Sequence, residues 1–254
     1  MTETKDETRK MEIDVREHSV ARGGQPQVLD RRLFMQLQVF TRAPRAGALI
    51  KALEASHLEA VLYRDVNDPQ GVALLTMSVD PTHFVTTVGD LLNAGPFADL
   101  THRPALTMFG RSYATGYEPN LEEWLLDRPR RTVQTAAWPW AIWYPLRRTG
   151  AFAALPPAEQ RGILAEHAKI GRAYGEADLA HDVRLACHGL DAADNEFVIG
   201  LIGRDLHPLS HVVQTMRRTK QTSSYIQRMG PFFVGHALWQ GEFTASAEPA
   251  AASR

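Results

Sequence analysis

Apolar and polar positions alternate along the chain in two stretches that follow the same order of signals. In the first, residues 33–41 read as a strand, 46–55 as a helix with apolar positions three and four apart, and 58–65 as a second strand. A turn at Asn67-Asp68-Pro69-Gln70-Gly71 leads into a strand at 72–79, Asp80-Pro81 caps a helical segment, and 106–111 closes the unit. The second stretch repeats this order, with strands at 141–146, 183–188, 197–203 and 232–239 and helices at 157–174 and 209–227. Each stretch is therefore β-α-β-β-α-β, the ferredoxin-like arrangement, and the chain is predicted to be an α+β protein built from a tandem ferredoxin-like repeat. Two such units set their sheets face to face or close them into a barrel with helices outside, leaving a pocket at one sheet face.

The expected organisation is a flexible N-terminal segment over 1–31, a first half over 32–117, a linker over 118–137, a second half over 138–241 and a disordered tail over 242–254. The linker carries a short helix over 120–127 and then the basic run Arg128, Arg130 and Arg131. At 254 residues with 44% hydrophobic content the chain can bury a core without staples. A net charge of -1 gives no basic surface for phosphate backbones, so nucleic acid is not an expected partner. The single cysteine, Cys187, excludes an intrachain disulfide framework and fits a reducing compartment. No apolar signal segment is visible near the start and no apolar run reaches bilayer length, so the expected setting is the cytoplasm, with no membrane role.

Several residues could carry chemistry. Ile163, Leu164, His167, Ile170 and Gly171 share one helical face, which turns the imidazole inward. From the residues alone, a core histidine satisfied by a backbone carbonyl is the plainer reading. Tyr144 precedes Pro145 at a strand end, a common place for a tyrosine whose hydroxyl meets solvent. Asp182 and Arg184 alternate onto one strand face, where an ordinary surface ion pair would account for both. His207 and His211 are spaced i,i+4, but no third ligand follows them.

The segments Tyr144-Pro145-Leu146-Arg147-Arg148, Leu155-Pro156-Pro157-Ala158-Glu159-Gln160-Arg161 with His167 beyond it, Gly189-Leu190-Asp191 and Gly230-Pro231-Phe232-Phe233-Val234-Gly235 together resemble the chlorite dismutase-like haem proteins, a superfamily that includes the coproheme decarboxylases. The resemblance covers about residues 138–239 by motif, and the first half through the repeat pattern alone. It implies a barrel-like pair of ferredoxin-like units and a haem, haem b or coproheme, in the second half. His167 would be the axial iron ligand. Tyr144 would stand where the decarboxylases place a tyrosine that oxidises a propionate, and Arg148 where they place a lysine. Arginine binds a carboxylate well but donates protons poorly, which favours binding over decarboxylation. Arg130 and Arg131 fall where the family contacts a propionate, and Phe152 where it commonly has a tryptophan. Asp182 falls at the distal position that chlorite dismutases give to arginine, with Arg184 on the same face.

The implied activity is a haem-dependent oxidoreductase, peroxidase-like or coproheme-decarboxylase-like, acting with a small oxidant such as peroxide or an oxyanion. Chlorite dismutation is one alternative, and a non-catalytic haem carrier is another. The family also implies a homo-oligomer, a pentamer in its long-chain members.

Overall fold

Wherever side chains alternate between apolar and polar the chain forms strands, and one face of every long strand turns into a shared interior. The computed structural model describes residues 13–20 and 24–243. A hairpin, β1 (Glu17–Val20) and β2 (Pro26–Leu29), comes first. The first half then runs β3 (Phe34–Thr41), α1 (Gly47–Ser56), β4 (Ala60–Asp65), β5 (Val72–Ser78), α2 (Thr87–Leu92), α3 (Gly95–Ala98), β6 (Thr101–His102) and β7 (Met108–Arg111). A π-helical turn at Glu123–Asp127 leads into α4 (Arg128–Gln134). The second half runs β8 (Trp140–Arg148), α5 (Gly150–Ala153), α6 (Pro157–Glu176), β9 (His181–Ala186), β10 (Phe197–Gly203), α7 (Leu206–Met216), β11 (Ile226–Met229) and β12 (Phe233–Gln240).

The strands pair in the order β10-β9-β7-β3-β5-β4-β12-β8, and β8 returns to β10, so the sheet closes on itself as a barrel. Within each half the fourth strand neighbours the first, the first neighbours the third, and the third neighbours the second. The two halves join along β4 with β12, and along β7 with β9 at Arg111 opposite Ala186. Met35, Leu37, Tyr63, Leu75, Trp143, Val183, Leu185 and Phe233 point into the barrel. Leu121, Leu125, Leu126 and Val133 join them, so the segment between the halves packs into the interior. Outside, α1 and α3 cover the first-half sheet through Leu49, Leu53 and Phe97, while α6 and α7 cover the second-half sheet through Ile170, Leu209 and Val212.

Three expectations are corrected. Residues 17–20 and 26–29 pair as strands, because Glu17 takes Arg32, Arg111 and the Ala114 amide onto its carboxylate and Ser19 donates to the Glu118 carbonyl. The linker is helical through its basic run, since Val133 is buried among the barrel side chains. The helix expected over 209–227 breaks after Met216 and resumes only as a π-helical turn at Gln221–Tyr225, and Ile226–Met229 instead pairs with the end of β8. The disordered tail expected over 242–254 falls, from residue 244 onward, outside the described residues.

Interior packing includes close approaches at glycine, the tightest of them at Gly200. The Trp143 ring lies against Gly200 on the adjacent strand, where a Cβ would come within 2.6 Å of the ring. Gly200→Ala is expected to lower stability by about 1–3 kcal/mol through overpacking. Chemical denaturation should show this as an earlier midpoint with an unchanged slope.

Candidate functional site

Because the barrel takes one face of β8, β9 and β10, the opposite face carries the remaining alternate residues. Arg184 on β9 lies opposite Ile199 on β10, which lies opposite Tyr144 on β8; the next row along is Asp182, Leu201 and Ile142. The polar side chains on this face are Tyr144, Asp182, Arg184 and, at the end of β8, Arg148. α6 crosses above it, with proline at its first position and His167 near its middle.

His167 is half-buried, and its Nδ1 lies 3.5 Å from the hydroxyl of Thr219, itself buried just beyond α7. That loop is fastened to α6, because Glu166 accepts from the Lys220 amide at 3.0 Å and Glu159 pairs with the Lys220 ammonium at 3.1 Å. Desolvation first, and then the Arg184 charge, holds the imidazole below its ordinary pKa, so it is neutral at neutral pH. With Nδ1 on Thr219, Nε2 is the ring nitrogen left to serve as a ligand.

Asp182 is held from both sides. Its Oδ1 accepts from Arg128 Nη2 at 2.8 Å, and its Oδ2 faces Arg184 Nε at 2.9 Å. Burial raises its pKa, but Arg184 and Arg128 together outweigh that effect and keep the carboxyl below its usual range. Asp182 is therefore ionised, with both oxygens engaged. Asp182 and Arg184 are desolvated by the surrounding protein, yet keep 36% and 39% of their side-chain surface accessible. Tyr144 is buried and stacks on Phe232 at 4.7 Å. Desolvation, then the Asp182 charge, raises its pKa, while Arg217 at the end of α7 lowers it, so the phenol is protonated at neutral pH.

The other residues singled out by sequence lie at the edge of this face or away from it. Arg148 pairs with Glu196 at 3.1 Å and stacks over Phe152 and Phe197 at 4.5 and 4.8 Å, beside a shallow pocket that Phe152 also lines. Arg130 is buried against Glu59 at 2.9 Å and the Leu126 carbonyl, an anchor for α4. Arg131 pairs with Glu123 and stacks on Phe243. His211 bonds the Tyr174 hydroxyl, and among the described residues no three histidine, cysteine or acidic side chains gather as metal ligands. Sequence reasoning missed Arg128 and Arg217 as members of the site. Arg128 stood in view within the basic run, but only the fold brings it to Asp182.

The doubly paired Asp182 makes a testable contribution to stability. Its folded-state pKa is depressed, so the contribution is full above the ordinary carboxylate pKa near ~4 and is lost as pH falls through the lower folded-state value. Asp182→Asn should therefore be less stable than wild type at neutral pH, with the gap closing below about pH 4. Denaturation midpoints measured between neutral and acid pH check this; a gap independent of pH would contradict it.

Comparison with solved structures matches this architecture to a protein from Thermus thermophilus described as a novel heme-binding protein, at 19% identity over 83% of this chain and 92% of that one, with a TM-score of 0.63. A variant of chlorite dismutase from Candidatus Nitrospira defluvii is similar at 14% identity over 82% of this chain and 92% of that one, with a TM-score of 0.62. The same bacterium's chlorite dismutase in complex with imidazole matches at 14% identity over 81% and 90% of the two chains, with a TM-score of 0.59. No curated protein matches. Among the described residues no helix is long and apolar enough to cross a membrane. The family model for chlorite dismutase matches residues 90–238, well over half of the sequence, and the chain belongs to that family.

Proposed function

We propose that the protein is a haem-binding oxidoreductase, with His167 as the axial ligand and the cleft between α6 and the second-half sheet as the haem site. The observation that carries this reading is the opposition of a neutral imidazole on α6 to the Tyr144, Asp182 and Arg184 face of the sheet. The residues fit the group. A macrocycle supplies four equatorial donors, so one neutral imidazole suffices from the protein, and Ile142, Leu201, Ile170 and Met216 offer apolar walls. The structural relative described as heme-binding supports the same cofactor. Haem b and coproheme both suit the cleft; Arg217 near Tyr144, and Arg148 at the strand end, offer guanidinium groups to propionates.

Bound iron would supply redox chemistry toward a small oxidant such as peroxide. The protein's part is to hold His167 neutral, enclose the ligand and present Arg184 to an incoming anion. Arg184 gives the sheet side of the cleft a guanidinium despite Asp182 at the expected distal position, and this favours chlorite dismutation as a second reading. Decarboxylation of coproheme has less support. The Tyr144 phenol is protonated, and the nearby carboxylate that could accept its proton is occupied by two arginines. We place the protein in the cytoplasm as a homo-oligomer of the kind the family forms.

Titration of the purified protein with haem or coproheme should give a saturable Soret band. His167→Ala should fold normally yet bind more than about tenfold more weakly. A histidine-ligated spectrum retained in that variant would overturn the assignment of the ligand. Turnover with peroxide and with chlorite distinguishes the two oxidative readings, and mass spectrometry of coproheme-loaded protein after peroxide would reveal any loss of carboxyl groups.

A further inference from the structure

Arg184 and Asp182 are two residues apart on one strand, and each is more than a third exposed. An ion pair of that kind on its own holds its partners loosely, because both side chains retain rotamer freedom. A third group changes this. Arg128 opens α4, the helix between the two halves, and its guanidinium lies over the Trp124 ring at 4.6 Å while Nη2 reaches Asp182 Oδ1 at 2.8 Å. Trp124 and Arg128 also wall a small cavity with Tyr113 and Arg184. The Asp182 carboxylate is thereby fixed by a group on a separate, packed element, and its second oxygen fixes Arg184 through Nε. Glu118, the other carboxylate close to Arg184, accepts from the Thr115, Gly116 and Tyr117 amides and from the Thr115 hydroxyl.

We infer that Arg128 is a positioning residue: acting through Asp182, it holds the Arg184 guanidinium toward the cleft where an anionic ligand of the iron would sit. The inference rests on the haem reading above. It makes the segment between the two halves part of the site, although Arg128 itself touches neither ligand nor iron.

Azide titration of the ferric haem-loaded protein tests it, with the affinity read from the visible spectrum. Arg128→Gln should weaken azide about 5- to 20-fold, and Arg128→Lys should recover part of the loss. In an Arg184→Ala background, and equally in an Asp182→Asn background, Arg128→Gln should change azide affinity by less than about twofold, because the chain of contacts is already broken. Thermal unfolding of each variant, compared with its own background, shows whether the fold is kept. An equal loss in all backgrounds would mean that Arg128 acts by its charge or by general stability, and would overturn the inference. So would an unchanged affinity in the single variant. If Arg128→Gln fails to fold, Arg128→Lys carries the same cycle. Failure of the wild type to take up haem would overturn the haem reading itself, and is seen before any azide is added.

Discussion

Closure of the barrel commits one face of every long strand to the interior, and this constraint determines what is left for chemistry. Along β8 and β9 it takes Trp143, Val183 and Leu185 inward. Strict alternation then turns Tyr144, Asp182 and Arg184 outward, beneath α6. A one-residue slip in register would put two charges in the apolar interior, at a cost no local contact could offset. The pairing of β8 with β10 and of β10 with β9 thus holds the site in place as firmly as it holds the core.

The two halves share a strand order but differ in what their outer faces carry. On β4, the first-half counterpart of β9, the outward positions are Ala60 and Leu62, which pack with Leu49, Leu53, Leu74 and Phe97 under the helices, and Arg64 at the strand end, which donates to the Ala43 carbonyl. On β9 they are Asp182 and Arg184. The first half therefore closes its helices onto the apolar part of that face, with its one charge at the strand end. The second half differs, because two ionised groups in the middle of β9 keep part of their surface accessible. The same repeat yields a mostly apolar outer face on one side and a charged one on the other.

Features set by local periodicity were legible in the sequence. The strand at 197–203 was read at its observed bounds, the helix carrying His167 began at the expected proline, and alternation placed Asp182 and Arg184 on one face. What could not be read depends on partners far apart in sequence. Arg128 meets Asp182 across 54 residues and Arg130 meets Glu59 across 71, so nothing local told these two neighbouring arginines apart. One contributes to the cleft, and the other anchors the helix. Likewise β11 is a strand because the far end of β8 offers unpaired backbone, a demand invisible in the polar sequence that precedes it. The Arg148–Glu196 pair, too, exists only because the turn before β10 returns beside the end of β8.

The central claim is that the face formed by Tyr144, Asp182 and Arg184 and the imidazole of His167 are the two walls of one haem site. A crystal structure of the haem-loaded protein tests it most directly. Iron within bonding distance of His167 Nε2, with Arg184 on the opposite face of the porphyrin, is the expected result. Iron on another histidine, or a porphyrin bound outside the cleft between α6 and the second-half sheet, would contradict it.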